Sequence, residues 1–273
     1  MSRTKVNAAK RQKVFFEADG QELYDLVIGN LVPLHGAMIQ VFETLIRTHC
    51  SKSSVSQAPV SFLDVGSGTG TESLWVAREF PNARITAVDP SARMNAIFTR
   101  KLALLEEGDH SLASRVSIKQ EDFLKPKRAS FLSNRANSFD VIFSIFAFHH
   151  FKHREKAAAY RRAFSMLRPG GVFINGDLFG YESKTLAALA LDHDLKHIEE
   201  CFEEKEALEK RHGNRLALNN LRQKWLEHYK KDNITEPIEG ISGQVSLMTD
   251  AGFKDAACPF RYWQVGLVVA FKR

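Results

Sequence analysis

The sequence predicts an α/β fold: a mostly parallel sheet with helices on both faces, helices ahead of it, and a helical insertion before a final β-hairpin. Three observations carry that prediction. Short apolar runs alternate with helical segments from residue 61 to residue 176. The first run leads straight into a glycine-rich turn, FLDVGSGTG at 62–70. The last two apolar runs, 253–258 and 263–271, read as an antiparallel hairpin beside the parallel strands.

Each element follows in order. Residues 14–47 carry apolar side chains at mostly helical spacing, from Phe15 and Leu23 through Leu31 and Met38 to Ile46. Pro33 divides this stretch into two helices, because its ring disfavours a helix interior. A polar linker fills 51–59. Strand 61–65 then leads to helix 71–79, and strand 84–88 to helix 92–105. Strand 116–119 follows, then strand 139–143 with helix 156–167. The Pro-Gly-Gly turn at 169–171 ends that helix and reverses the chain into strand 171–176. Residues 178–235 change character to long charged helices with the pairs Lys205–Glu209 and Glu206–Lys210. They read as two or three amphipathic helices inserted before the sheet is finished. Helix 245–251, with Gly252 as its C-cap, precedes the hairpin.

Four regions result: a helical lid and linker at 1–58, an α/β core at 59–177, a helical cap at 178–240, and a closing helix and hairpin at 241–273. Right-handed crossovers fix most of the topology. Ligands in such sheets bind beyond the strands' C-terminal ends, and Gly66, Asp89, Asp122, Ser144 and Asp177 all follow strand ends.

Composition narrows the partners. Among 273 residues 44% are apolar, and no run approaches the roughly 18 residues that cross a bilayer, so no membrane partner is expected. Cys50, Cys201 and Cys258 are odd in number and far apart. That suits free thiols in a reducing cytoplasm and offers no metal-ligand spacing. The net charge of +6 is partly local: Arg3, Lys5, Lys10, Arg11 and Lys13 have no acid among them. This end reads as solvated, with RNA contact as the lesser alternative. No zinc finger, aromatic RNA-binding strand or helix-turn-helix pattern accompanies it.

The glycine spacing is D-x-G-x-G-x-G, from Asp64 through Gly66 and Gly68 to Gly70. A dinucleotide fingerprint needs G-x-G-x-x-G, and Thr71 breaks it. The spacing points instead to an adenosyl amino acid. Asp89 closes the second strand in AVDPSARM, where a carboxylate can accept both hydroxyls of a ribose. A helix N-cap is the competing role, but Asp89 sits early for it and Ser91 can cap alone.

The turn resembles motif I of the class I S-adenosylmethionine-dependent methyltransferases, whose sheet is Rossmann-like. The resemblance covers roughly 61–176, and its motifs occur in the family's order. It implies that Asp64, Gly66, Ser67, Gly68 and Gly70 hold the methionine end of S-adenosyl-L-methionine. It also implies that Asp89 binds the ribose, with Pro90, Ser91 and Met94 flanking the adenosine. Asp122, with Glu121 as its rival, meets the adenine amino group, and Phe123 packs on the ring. Ser144 and Phe146 belong to the loop near the sulfonium. His149 and His150 follow as bases for the acceptor proton, or as packed caps of the next element. Tyr24 lies in the lid, over the cofactor or on an ordinary helix face.

The expected activity is methyl transfer to an O, N, C or S atom of a small-molecule acceptor. RNA methylation is the runner-up, since a tRNA-modifying branch of the family has comparable additions. A non-catalytic cofactor-binding scaffold is the third reading, and a homodimer is left open. No Asn-Pro-Pro-Tyr-like tetrapeptide follows the fourth strand, and no Asp/Asn trio announces a divalent-metal site. Tyr181, His193, His197, Trp225, His228 and Tyr229 in the insertion, with Arg261 and Trp263 near the hairpin, are candidate acceptor contacts. Alignment is expected to dominate over proton removal, which ranks Asp89 above either histidine.

Overall fold

The computed structural model describes residues 24–53, 59–106, 111–126, 130–209, 226–227 and 238–273. Side chains at 24–27, 52–53, 106 and 203–209 lie outside that description. Helices α1 (Tyr24–Leu31) and α2 (His35–Ser53) lead into strand β1 (Ser61–Val65). Then come α3 (Thr71–Glu79), β2 (Arg84–Val88), α4 (Ala92–Glu106), α5 (Leu112–Arg115) and β3 (Val116–Lys119). After β4 (Phe139–Ile145) a 3-10 turn, Phe148–His150, precedes α6 (His153–Met166) and β5 (Leu167–Leu178). Helices α7 (Lys184–Glu209) and α8 (Ile241–Asp250) precede β6 (Lys254–Tyr262) and β7 (Val265–Phe271).

The seven strands lie in the order β3-β2-β1-β4-β5-β7-β6. Strands β1 to β5 are parallel, and β7 runs antiparallel between β5 and β6. The strand order reverses between β1 and β4, which opens a crevice at their C-terminal ends.

The strands' period of two sorts side chains onto two buried faces. On one face Phe62, Val141, Phe143, Ile174 and Leu267 pack with Met38 and Phe42 of α2, Leu74 of α3 and Phe98 of α4. On the other, Leu63, Val65, Ile142, Phe173 and Val268 pack with Tyr160 and Ala163 of α6 and Met248 of α8. Both faces of the parallel strands are therefore covered, as that arrangement requires.

Several boundaries differ from the sequence reading. Helix α6 starts three residues early, at His153, because Lys152 is extended and its N–H donates to Glu155 Oε2 at 3.0 Å. Strand β5 starts at Leu167, which pairs with Phe139, and the Pro-Gly-Gly residues bulge out before Val172 pairs with Val141. The expected C-cap at Gly252 is present, with φ 107° and its N–H bonded to Thr249 O. In the insertion the described residues include helix α7, of 26 residues, and a helical pair at 226–227; 210–225 and 228–237 lie outside the described residues. Trp225, His228 and Tyr229 fall there, and so does the side chain of Tyr24.

Helix α7 joins the N-terminal helices. Ile198 and Phe202 pack on Leu31 of α1. His197 Nε2 lies 3.0 Å from Asn30 O, and the Cys201 thiol donates to the same carbonyl at 3.1 Å.

Candidate functional site

The turn after β1 is built from backbone bonds and close contacts. The N–H groups of Gly66 and Ser67 both donate to Val88 O, tying the end of β1 to the end of β2. Gly66 and Gly70 have positive φ, and each is also crowded. A Cβ on Gly66 would lie 2.4 Å from Ala147 Cβ, and one on Gly70 would lie 2.3 Å from the Phe98 ring. Gly68 is different: nothing described lies within 4 Å of where its Cβ would be. Beside it the buried Ser67 hydroxyl has no hydrogen-bond partner among the described residues.

Two buried acids frame this turn. The Ser73 hydroxyl donates to Asp64 Oδ2 at 2.7 Å, which locks β1 to α3. Burial pushes the Asp64 carboxyl well up from its ordinary range, and the charges of Glu72 and Asp89 push the same way. Asp89 accepts from Gly68 N–H at 3.0 Å and from Ser91 N–H at 2.7 Å. Burial raises its carboxyl too, although those two bonds work against the rise. The Ser91 hydroxyl accepts from Met94 N–H at 3.3 Å, so Ser91 caps α4 and Asp89 holds the glycine turn. Met94 itself is buried, and Pro90 is exposed between the two.

The turn after β3 serves itself. Asp122 Oδ1 accepts from Leu124 N–H and Lys125 N–H, while Glu121 accepts from Phe131 N–H and Leu132 N–H. Phe123 is 4% exposed and packs into the core, with the Arg162 guanidinium 5.2 Å over its ring. Its ring packs on the α6 face of the sheet.

The loop after β4 closes over the glycine turn. The buried Ser144 hydroxyl donates to Val65 O at 2.8 Å. Phe146 adopts φ 52°, donates its N–H to Gly176 O and stacks on His35 at 5.7 Å. Burial lowers the His35 imidazole from its ordinary value. Ala147 meets Gly66, and two residues later comes His149. Its N–H donates to Asp177 Oδ2 at 2.8 Å, and its Nδ1 lies 2.5 Å from Asp177 Oδ1. The Asp177 side chain is 1% exposed and that of His149 10%. The His150 ring lies beside that of His149, with centroids 3.8 Å apart and the planes tilted by 49°.

The structure thus separates the two histidines. Sequence reasoning placed Asp177 at a strand end but gave it no role. The signal was present, since Asp177 and Asn175 stand two apart at the end of an apolar strand. It also passed over Lys156, a charge in the otherwise apolar α6 stripe of Ala159, Tyr160, Ala163 and Met166. His193, Arg261, Tyr181 and Trp263 gather at the β6–β7 turn. There His193 stacks on Trp263 at 5.0 Å, and the Arg261 guanidinium lies 3.9 Å over Tyr181. Among the described residues no cluster of three His, Cys, Asp or Glu side chains is placed to hold a metal ion.

Comparisons with known proteins agree with this geometry. The family model described as a methyltransferase domain matches residues 62–171. No curated protein matches the chain in sequence. Among solved structures, phosphoethanolamine N-methyltransferase 2 of Haemonchus contortus is 15% identical with a TM-score of 0.61; the match covers 100% of this chain and 61% of that one. Magnesium protoporphyrin IX methyltransferase of Synechocystis is 11% identical with a TM-score of 0.59, and both chains are covered in full, 100% and 100%. An S-adenosylmethionine-dependent methyltransferase candidate from Methanococcus maripaludis is 18% identical with a TM-score of 0.54, covering 100% of this chain and 97% of that one. The chain spans only about half the length of some larger matches, such as 50% of the methyltransferase SibL. The family match runs from the first strand through the glycine turn to the Pro-Gly-Gly bulge, inside a sheet of the same architecture. Residues 62–171 thus match the methyltransferase-domain family, and the sheet around them has the fold of S-adenosylmethionine-dependent methyltransferases of known structure.

Proposed function

We propose that this chain transfers the methyl group of S-adenosyl-L-methionine to a nucleophilic atom of a small-molecule acceptor, with His149 as the base for the acceptor proton. One observation carries the reading. The His149–Asp177 pair stands two residues beyond Ala147, which itself touches Gly66 of the glycine turn. A cofactor cradle and a proton acceptor are thereby joined by one short loop.

The cradle residues fit the cofactor. Gly68 faces open space, and the Ser67 hydroxyl is buried without a partner. Asp64, Glu72 and Asp89 make the surroundings negative, which suits a ligand carrying an ammonium and a sulfonium. Each Asp89 oxygen accepts one N–H and keeps capacity to accept from a ribose hydroxyl. Asp122 keeps its second oxygen for the adenine amino group. Phe146, turned into a left-handed conformation, walls the site with His35.

When bound, the cofactor supplies an activated methyl on sulfur. The protein's part is alignment, exclusion of water and removal of the acceptor proton. Asp177 engages Nδ1 of His149 and leaves Nε2 as the ring nitrogen able to take that proton. With cofactor and acceptor bound, His149 Nε2 would take the proton that the acceptor loses.

Small acceptors are favoured because structures of this fold include enzymes named for phosphoethanolamine and magnesium protoporphyrin. The joined helices α1 and α7 are suited to covering such an acceptor. Among the described residues no helix is long and apolar enough to cross a membrane. The test is a methyl-transfer assay against a metabolite panel and bulk tRNA, beside calorimetry with S-adenosylmethionine and NAD. Cofactor binding with turnover of a metabolite is the expected result. Transfer to tRNA alone would overturn the small acceptor, and binding without any turnover would favour a scaffold.

A further inference from the structure

We infer that Arg261 binds an anionic group of the methyl acceptor, a carboxylate or a phosphate, and so sets how the acceptor lies against the His149–Asp177 pair. This rests on the proposed transfer to a small acceptor with His149 as the base.

Sheet register sets the distance. Asp177 of β5 pairs with Gly266 of β7, and Gly266 pairs with Arg261 of β6. Residues directly opposite in antiparallel strands share a face, and two strand spacings put Arg261 about 10 Å from Asp177. The middle position carries no side chain, and the Phe179 ring takes its place. A Cβ on Gly266 would lie 2.9 Å from Phe179 Cδ2. The guanidinium reaches the residues that follow β5, where Nη2 donates to Gly180 O at 2.9 Å and to Phe179 O at 3.4 Å. Nε donates to Trp263 O at 3.0 Å, and the Tyr181 ring lies 3.9 Å beneath. Arg261 thus stands at the crevice end of β5, in one row with the aspartate that holds His149.

The charge is what this arrangement leaves unanswered. Arg261 spends Nε and Nη2 on backbone carbonyls, and among the described residues nothing accepts from Nη1. No carboxylate among those residues forms an ion pair with it. Glu182 feels the guanidinium, but its carboxyl is lowered first by the Ser242 hydroxyl, with Arg261 the weakest of the causes. Arg261 is half-buried, and Nη1 keeps access to solvent. A guanidinium in that setting attracts an anion more strongly than one in bulk water, and carboxylate and phosphate oxygens suit its geometry. Its mount is rigid. Trp263 opens the two-residue hairpin turn with φ 48°, an outlier for so bulky a side chain. Its carbonyl accepts from both Arg261 Nε and the Tyr181 hydroxyl, and His193 of α7 stacks on its ring. Strain of this kind collects at ligand clamps. Anchoring the hairpin alone would need donors for three carbonyls and no charge.

The experiment uses the full chain and acceptors in matched pairs: a carboxylic acid with its carboxamide, and a phosphate monoester with its alcohol. Steady-state assays give kcat and KM for the parent, R261K and R261Q. A second readout is the 15N–1H signal of Arg261 Nε, assigned by its loss in R261K, with inorganic phosphate and acetate as probes. The charged member of a pair should be the better substrate by about ten- to a hundredfold in kcat/KM. R261Q should raise its KM by that factor and preserve kcat, the cofactor Kd and the KM of the neutral member. R261K should recover most of the loss. A signal moved by phosphate alone assigns a phosphate, and one moved by acetate alone a carboxylate. Equal turnover of charged and neutral members by the parent would overturn the proposal, as would an Arg261 signal indifferent to both anions. Neither result depends on how R261Q folds. A signal moved by an anion, with no acceptor methylated, would keep the anion site and overturn the methyl-transfer reading.

Discussion

At the scale of single residues, the turn after β1 shows how few atoms define the site. Gly66 and Gly70 are fixed by contact, with Ala147 and Phe98 standing where a side chain would begin. Gly66→Ala should therefore lose stability and cofactor affinity together, which thermal melting and calorimetry would show. Asp89→Ala removes a charged acceptor from two N–H groups. It should weaken cofactor binding by about 1.5–3 kcal/mol, read directly by calorimetry. Unchanged affinity would mean that Asp89 serves the turn and not the ligand. For the histidines, sequence alone ranks both below Asp89. The Asp177 pair changes that expectation for His149, because an oriented base contributes about 10²–10⁴ in rate. His149→Asn should lower kcat by that range at unchanged cofactor affinity, whereas His150→Asn should cost much less. Equal effects of the two variants in steady-state assays would contradict the distinction.

At the scale of elements, the contact between α1 and α7 is the feature that composition could not announce. Leu31, Ile198 and Phe202 form a small cluster separate from the two main faces of the sheet. Phe202→Ala should remove about 3–5 kcal/mol of packing from that contact. Because the cluster is a satellite of the core, the loss should appear as faster local amide exchange in α1 and α7. The KM for the acceptor should rise, with the cofactor Kd preserved. A variant that instead unfolds globally at lower denaturant would show these helices to be integral to the core.

For the whole molecule, the two buried acids link cofactor binding to pH. Asp64 and Asp89 both have folded-state values raised by burial. An acid raised on folding binds its proton more tightly in the native state. Its contribution to stability is complete below the unfolded value near 4 and is lost as pH rises through the folded value. The protein without ligand should therefore lose melting temperature as pH rises through that window. A cationic ligand favours both carboxylates ionised, so the thermal shift on adding S-adenosylmethionine should grow with pH. At a hundredfold excess over Kd that shift corresponds to about 2.7 kcal/mol. Asp64→Asn should flatten the pH dependence. A ligand shift that is constant from pH 4 to 8 would refute the linkage.

Periodicity and turn chemistry are local, and the sequence determined what they govern. Strands β1, β2 and β3 and helix α3 have the bounds their patterns predicted, since apolar runs ending in Gly, Asp and Pro mark themselves. The D-x-G-x-G-x-G turn and the acid after β2 were legible for the same reason: one residue type at one backbone position performs one job. The decisions that escaped the sequence all depend on partners distant along the chain. Phe123 reads in the sequence as a residue packing on the adenine, and the structure sets it on the α6 face of the sheet beneath Arg162. His149 and His150 are equivalent as neighbours in sequence. They become different when β5 brings Asp177, 28 residues on, to within 2.5 Å of His149 Nδ1. Lys156 reads as a solvated helix charge, yet the fold buries it with Glu239 Oε2 4.0 Å from its Nζ. Local pattern fixes which elements form, because each residue carries its own propensity and polarity. Burial and pairing are properties of two segments at once, so the tertiary structure alone decided which acids are buried and which histidine pairs with Asp177.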